Sequence, residues 1–194
     1  MTKVKICGIT TSEAMQAAVD AGADYVGFVF ATSKRQVTPK KARTLAQWVS
    51  PEVQKVGVFV NPSINEVQEV LKDVRLDLIQ IHGDYDEALK TLDIPIISAV
   101  AVGKEQLIVR ESADYYLFDA PIAGSGKTFD WEMLDRTNMT KPYFIAGGLT
   151  LENVSDCIAH FHPYAVDVSS GVETNGKKDV EKIKAFIKGV KYDL

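Results

Sequence analysis

Residues 4–10, "VKICGIT", pose the question on which the fold turns. Side chains on a strand alternate between faces, so Lys3, Lys5 and Cys7 share one face while Val4 and Ile6 share the other. If the lysine face meets solvent, Cys7 is an exposed, oxidisable thiol at the end of a surface strand. If that face lines an interior, Lys5 and Cys7 point inward and the thiol stands at the rim. The rest of the chain decides between the two.

Short runs rich in Val, Ile, Phe and Tyr recur along the sequence: "KVKICGI", "YVGFVF", "QKVGVFVN", "DLIQIHG", "IPIISAVAV", "YYLFDA", "PYFIAGG" and "YAVDVSSG". Helical patterns alternate with them, among them "SEAMQAAVDAG", "PKKARTLAQWV", "INEVQEVLKDV", "DEALKTL", "KEQLIVRESA", "WEMLDR", "LENVSDCIAHF" and "KDVEKIKAFIKGV". Thr10 with Glu13, Ser63 with Glu66 and Asp84 with Glu87 have the spacing of a capping box. Eight strand–helix pairs at a period of about 24 residues imply parallel strands with right-handed crossovers, and eight is the number that closes a (β/α)8 TIM barrel. An open doubly wound sheet is the rival, but no G-x-G-x-x-G follows the first strand. Closure also answers the opening question, because the inward face of a barrel strand is core and its C-terminal end is the active-site mouth. Residues 1–194 read as one α/β barrel domain without linker or low-complexity stretch.

Composition bounds the function. The chain of 194 residues is 46% hydrophobic and 25% charged, with a net charge of -4 and a pI near 5.4. Nucleic acid and anionic membranes are recruited by clustered Lys and Arg, so neither is an expected partner. Its two cysteines and the lack of a basic segment leading into an apolar one point to the cytoplasm. The longest apolar run, "YVGFVFA", is far short of the roughly 20 residues that span a bilayer.

Several strands carry polar residues at the ends of otherwise buried faces: Gln80 with His82, Asp119 after Tyr115 and Leu117, and Asp167 with Ser169. Hydrophobic residues would pack better there, and such violations mark functional sites. "IAGGLT" and "VSSGVE" end the seventh and eighth strands. Gly147, Gly148, Ser169, Ser170 and Gly171 form a candidate phosphate cradle of backbone N–H groups and helix N-termini, at the usual phosphate position of these barrels. "AGSGKT", 123–128, is not a P-loop, since Pro121 stands where the first glycine is required. It reads as a loop over the mouth, with Lys127 in reach of a ligand.

Together, "KICGIT", "GFVF" with "SKR", "VGVFVN", "QIHG", "LFDA", "GSGKTFDW", "AGGL" and "DVSSGVE" with "GKKD" resemble the phosphoribosylanthranilate isomerase family from the first strand to the last helix. Gln36 and Ala120 depart from the family's frequent aromatic and threonine. The resemblance implies an Amadori rearrangement of a phosphosugar in tryptophan biosynthesis, without metal or cofactor, by a monomer or homodimer. It also implies that Asp119 is the general acid and Cys7 the general base, roles that suit the residues' places at the mouth. Lys5 beside Cys7 favours a thiolate, and burial favours a protonated Asp119. Arg35 suits the anthranilate carboxylate through its planar fork. Gln80 and His82 read equally as satisfied core groups or ligand contacts, and Asp167 as a partner for a sugar hydroxyl or for an interior lysine. Cys157 reads as an inert core thiol. A Schiff-base aldolase using Lys5 and a non-catalytic phosphosugar-binding barrel are the alternatives. Cys7 argues against the related histidine-pathway isomerase, read as using two carboxylates.

Overall fold

The structure is a computed structural model and describes residues 1–102, 109–119 and 141–192. Eight parallel strands, β1 (Lys3–Cys7), β2 (Tyr25–Val29), β3 (Gln54–Val60), β4 (Leu78–His82), β5 (Ile96–Ala101), β6 (Tyr115–Asp119), β7 (Tyr143–Ala146) and β8 (Ala165–Val168), close in chain order. The seam joins β1 to β8 with Lys5 opposite Asp167, while on its other side Lys5 stands opposite Tyr25. The described helices are α1 (Ser12–Asp20), α2 (Pro39–Ala46), α3 (Ile64–Asp73), α4 (Val154–Phe161) and α5 (Val180–Lys191). None of them is long and apolar enough to cross a membrane.

The strand alternation divides two cores. Val4, Ile6, Val26, Phe28, Ile79, Ile81, Val166 and Val168 face outward against helix residues such as Met15, Val67, Ile183 and Phe186. Inside the barrel, Tyr25, Val56, Leu78, Ile97, Leu117, Phe144 and Ala165 fill the lower half. Lys3, Lys5 and Cys7 climb the inner face of β1 in step: Lys3 donates to the Tyr164 hydroxyl at 2.9 Å near the bottom, Lys5 is fully buried, and Cys7 lies under the mouth.

Local signals account for the helix starts, with corrections. Ser63 and Glu66 form the expected capping box at α3, and Thr38 caps α2 with Pro39 in the first turn. At α1 the cap is Thr11, one residue beyond Thr10, accepting from the Ala14 amide. "DEALKTL" forms a 3-10 segment, Glu87–Leu92, capped by Asp86. Asp84 is drawn away from capping by Arg110, which donates to it at 2.5 Å. "LENVSDCIAHF" becomes helical only at Val154, and the stretch 109–113 of "KEQLIVRESA" is a turn. Residues 104–108 of that pattern, and "WEMLDR", lie outside the described residues.

Three aspartates repeat one device at the bottom of the barrel. Asp24, just ahead of β2, accepts from the Val4 amide of β1 at 2.8 Å. Asp77, ahead of β4, accepts from the Lys55 amide of β3 at 2.8 Å. Asp114, ahead of β6, accepts from the Ile96 amide of β5 at 2.8 Å. Each also pairs with a lysine: Lys191, Lys55 and Lys90 respectively. Ahead of β8 the corresponding position holds Tyr164, which meets Lys3 and the Tyr25 hydroxyl instead. Each aspartate satisfies an amide at the start of a strand and ties two strands together. Asp77→Ala is expected to cost about 1.5 to 3 kcal/mol of stability, the range for a hydrogen bond to a charged group. Denaturant unfolding reads this as a lower midpoint at unchanged slope, with turnover unaffected because the clamp lies at the end opposite the mouth.

Candidate active site

The mouth of the barrel holds a cavity of about 620 Å³. Cys7, Arg35, Gln80, His82, Asp119, Gly147, Gly148, Asp167, Ser169 and Ser170 all line it, so eight strands bring together residues spread over 164 positions of sequence (7 to 170). Val29, Ala31, Val58 and Val60 add an apolar wall, which polar residues at strand ends do not signal. Two expected ligand contacts stand elsewhere. Lys5 is fully buried beneath the cavity and is not among its lining residues, since its ammonium is taken up by Asp167. Gly171 borders a neighbouring cavity, and a Cβ there would stand 1.9 Å from the Leu149 carbonyl oxygen. Its role in the fold is therefore the close approach of the two glycine-containing loops. Lys127 lies outside the described residues.

Beneath the floor, Lys5 donates from Nζ to Asp167 Oδ2 at 2.9 Å, with 0% and 7% of the two side chains exposed. Burial works against the ammonium, but Asp167 and Cys7 together hold Lys5 above its ordinary pKa. The pair reaches the groups above it. Asp119 is pushed up to about 6, first by burial and then by the Asp167 charge, with Lys5 opposing. Burial and then Lys5 lower His82, which favours the neutral imidazole. For Cys7 the expected pull of Lys5 toward the thiolate is present but outweighed: burial raises the thiol, Lys5 pulls it down, and the net direction is upward. Gly27 gives the thiol its room, as a Cβ at that position would stand 2.9 Å from Cys7 Sγ. Gln80 Nε2 and His82 Nε2 lie 2.9 Å apart. Among the described residues, Gln80 Oε1 and Asp167 Oδ1 are buried without a hydrogen-bond partner, two acceptors that a ligand's donors can meet.

Gly147 and Gly148 both have positive φ, 83° and 65°. That conformation turns the loop after β7 toward the short 3-10 turn Ser170–Val172 after β8. The expected contribution of the next helix N-terminus is corrected, because α4 starts only at Val154, after a Thr150–Asn153 turn. The cradle thus rests on loop amides and the 3-10 turn. Cys157 on α4 is buried, its thiol pushed up to about 12 by burial, as an inert core residue requires.

Two residues outside the sequence expectations, Glu173 and Lys178, hold lining residues of the mouth in place. Arg35 donates from Nε and Nη2 to Glu173 Oε1 and Oε2, at 2.5 and 2.9 Å. Lys178 donates to Glu173 Oε1 at 2.7 Å and to the Ser169 carbonyl at 2.9 Å. The sequence contained a signal for them. "TNGK", 174–177, is an Asn-Gly hairpin turn, with φ of 52° at Asn175 and 75° at Gly176. It pairs β9 (Glu173–Thr174) with β10 (Lys177–Lys178), setting Glu173 opposite Lys178.

The family model described as N-(5'phosphoribosyl)anthranilate (PRA) isomerase matches residues 4–189. The chain belongs to this family. The N-(5'-phosphoribosyl)anthranilate isomerase of Streptococcus mutans is 60% identical over 192 residues, covering 98% of this chain and 100% of that one. A crystal structure of a phosphoribosylanthranilate isomerase in complex with reduced 1-(o-carboxyphenylamino)-1-deoxyribulose 5-phosphate superposes with a TM-score of 0.83. It has 38% identity over 98% of this chain and 99% of that one. Monomers of the dimeric enzyme from Thermotoga maritima give 0.82 at 37% identity, covering 99% and 100%. As a phosphoribosylanthranilate isomerase, the chain catalyses the isomerisation of N-(5'-phosphoribosyl)anthranilate in tryptophan biosynthesis.

In this isomerase barrel the Asp167 charge raises Asp119, so Asp167→Asn should bring the Asp119 carboxyl below about 6, toward its ordinary value. Titrating the carboxyl carbon by NMR checks this. An unchanged value would leave burial as the whole cause.

Proposed function

We propose that the isomerisation runs between two proton-transfer groups on facing walls of the mouth, Asp119 as general acid and Cys7 as general base. Opening of the furanose needs a proton at the ring oxygen, which Asp119 delivers as the C1'–O bond breaks and the C1'=N Schiff base forms. The Cys7 thiolate then removes the proton from C2', and the electron pair moves to the Schiff-base nitrogen, giving the enolamine. Tautomerisation yields the ketose. The observation that carries this reading is the pair's placement: one titratable acid held up to about 6 and one thiol line the same cavity. Each transfer is worth on the order of 10² to 10⁴ in rate.

The remaining residues hold the substrate. Gly147, Gly148, Ser169 and Ser170 take the phosphate, Arg35 the anthranilate carboxylate, and Gln80, His82 and Asp167 the ribosyl hydroxyls, with Lys127 proposed to reach the same ligand and Gly171 holding the two glycine-containing loops together. Lys5 acts from below, as the counter-charge to Asp167 and to the thiolate. The Schiff-base aldolase reading loses ground here, since Lys5 is held above its ordinary pKa and a nucleophilic lysine must be neutral. The acidic balance of -4 supports a small anion held locally rather than nucleic acid or a membrane surface. The proposed setting is the cytoplasm, with residues 1–194 acting as one catalytic domain in a monomer or homodimer.

Cys7→Ala should lower kcat at least about 10²-fold with little loss of stability, and Cys7→Ser should be similarly poor because a hydroxyl is far less acidic. Normal turnover of Cys7→Ala ends the assignment.

The pH profile supplies a second test. The active form has Asp119 protonated and Cys7 ionised, although Asp119 titrates near 6 and Cys7 above its ordinary value. The population of that form is flat between the two pKa values. It falls below the lower one as thiolate is lost and above the upper one as protonated Asp119 is lost. In Asp119→Asn the lower break should vanish, leaving a reduced rate that climbs with pH until Cys7 is ionised. Retention of the break near 6 in that variant would assign it to another group, the substrate phosphate included.

A further inference from the structure

Arg35 is held in place before any ligand arrives. Its stem crosses Gly8, where a Cβ would stand 2.5 Å from Arg35 Cδ, so the path across the first loop is open only to a glycine. Its guanidinium meets Glu173 side-on, through Nε and Nη2. That pair uses two of the five N–H donors of the fork and leaves the Nη1 edge out of it. Glu173 is itself fixed. It sits on the hairpin opposite Lys178, with 5% of its side chain exposed. The Lys178 ammonium, 3% exposed, ties Glu173 to the Ser169 carbonyl, and the Ser169 hydroxyl donates to the Cys7 carbonyl at 3.1 Å. An unbroken chain of hydrogen bonds thus runs from the strand end that carries the thiol to the arginine. Burial opposes ionisation of Glu173, but Arg35 and Lys178 hold its carboxyl down to about 2, so it is charged throughout the working range.

We propose that Glu173 is a positioning residue for the isomerase reaction: it clamps one edge of Arg35 so that the other edge faces the carboxylate of the substrate's anthranilate ring. Charge agrees with this. Arg35, Lys178 and Lys34 surround the single carboxylate of Glu173, at 2.5, 2.7 and 3.6 Å, so the cluster keeps a net positive charge that a ligand anion satisfies. A free arginine would have to be ordered when substrate binds, and the clamp removes that cost beforehand. The opposite arrangement, with Glu173 competing against the substrate for Arg35, predicts that removing the Glu173 charge tightens binding.

The inference rests on the proposed Arg35–carboxylate contact, and the test separates the two. Wild type, Arg35→Met, Glu173→Gln and the double variant are titrated with reduced 1-(o-carboxyphenylamino)-1-deoxyribulose 5-phosphate, with its counterpart lacking the carboxylate, and with inorganic phosphate. Arg35→Met should weaken only the carboxylated ligand, by about tenfold or more. Glu173→Gln should weaken the same ligand by about tenfold through misplacement of the guanidinium. It should leave the carboxylate-free ligand and phosphate within about twofold, raise KM more than it lowers kcat, and add nothing in the Arg35→Met background. Glu173→Asp keeps the charge but withdraws it by one methylene, and should share the carboxylate-selective loss. Tighter or unchanged binding of the carboxylated ligand by Glu173→Gln overturns the proposal while the Arg35 contact stands. So does equal weakening of all three ligands, which would make Glu173 a support of the phosphate loop. If Arg35→Met fails to separate the carboxylated ligand from its counterpart, the Arg35 contact itself fails and the positioning role falls with it.

Discussion

The ion pair of Lys5 and Asp167 is the constraint from which the rest of the mouth follows. Its partners stand opposite each other in the ladder that closes the barrel, β1 against β8, and their side chains meet at 2.9 Å in the interior. Two charges taken out of water recover their hydration loss only with good geometry and further hydrogen bonds. Here Asp167 Oδ1 has no partner among the described residues, so the pair is a poor device for stability alone. Its fields reach the groups that line the cavity instead. Asp167 helps keep the Asp119 proton on, Lys5 draws the Cys7 thiol toward ionisation, and Lys5 helps keep His82 neutral. One pair therefore biases the proposed acid and the proposed base in opposite senses.

Much of this was legible in the sequence, because strand alternation is a strict period of two. Once Lys5 and Cys7 are taken to face inward, the same parity places Gln80 and His82, Asp119, and Asp167 and Ser169 in the barrel, and the structure puts all but Lys5 on the wall of one cavity. Helix starts were less legible. Thr10 and Thr11 are equivalent in composition, and only the backbone decides which oxygen meets the Ala14 amide. Asp84 has the right spacing for a cap, but a long-range partner, Arg110, claims it. Such competition between local and tertiary partners has no signature in a single window of sequence. Glu173 and Lys178 were missed for a different reason: the Asn-Gly turn that pairs them lies outside the strand–helix period, where attention to the barrel repeat does not look.

The two ends of the barrel divide the work. At the bottom, three aspartates repeat one amide-capping contact, and aromatic rings fill the space, Tyr25 and Tyr115 meeting Phe144 edge-on at 5.4 and 5.9 Å. At the top, apolar filling gives way to paired charges, glycine turns and acceptors without partners. Packing quality is thus concentrated where no ligand has to enter. The mouth keeps unsatisfied groups for the substrate to meet.

The aspartate clamps also bear on the order of assembly. Each joins residues close in sequence, 20 apart for Asp24 and Val4 and 22 apart for Asp77 and Lys55, whereas Lys5 and Asp167 are 162 apart. Loop-closure entropy grows as the logarithm of loop length, so the seam costs roughly 2 kcal/mol more to close than a single clamp. Pairs of neighbouring strands are therefore the cheap units of folding, and the β1–β8 seam is the expensive contact that completes the ring. Cys7 and Lys5 stand on one side of that seam and Asp167 on the other. A chain caught with its ring open keeps most of its strands paired but cannot assemble the proposed catalytic centre, so on that reading activity reports on the last contact to form.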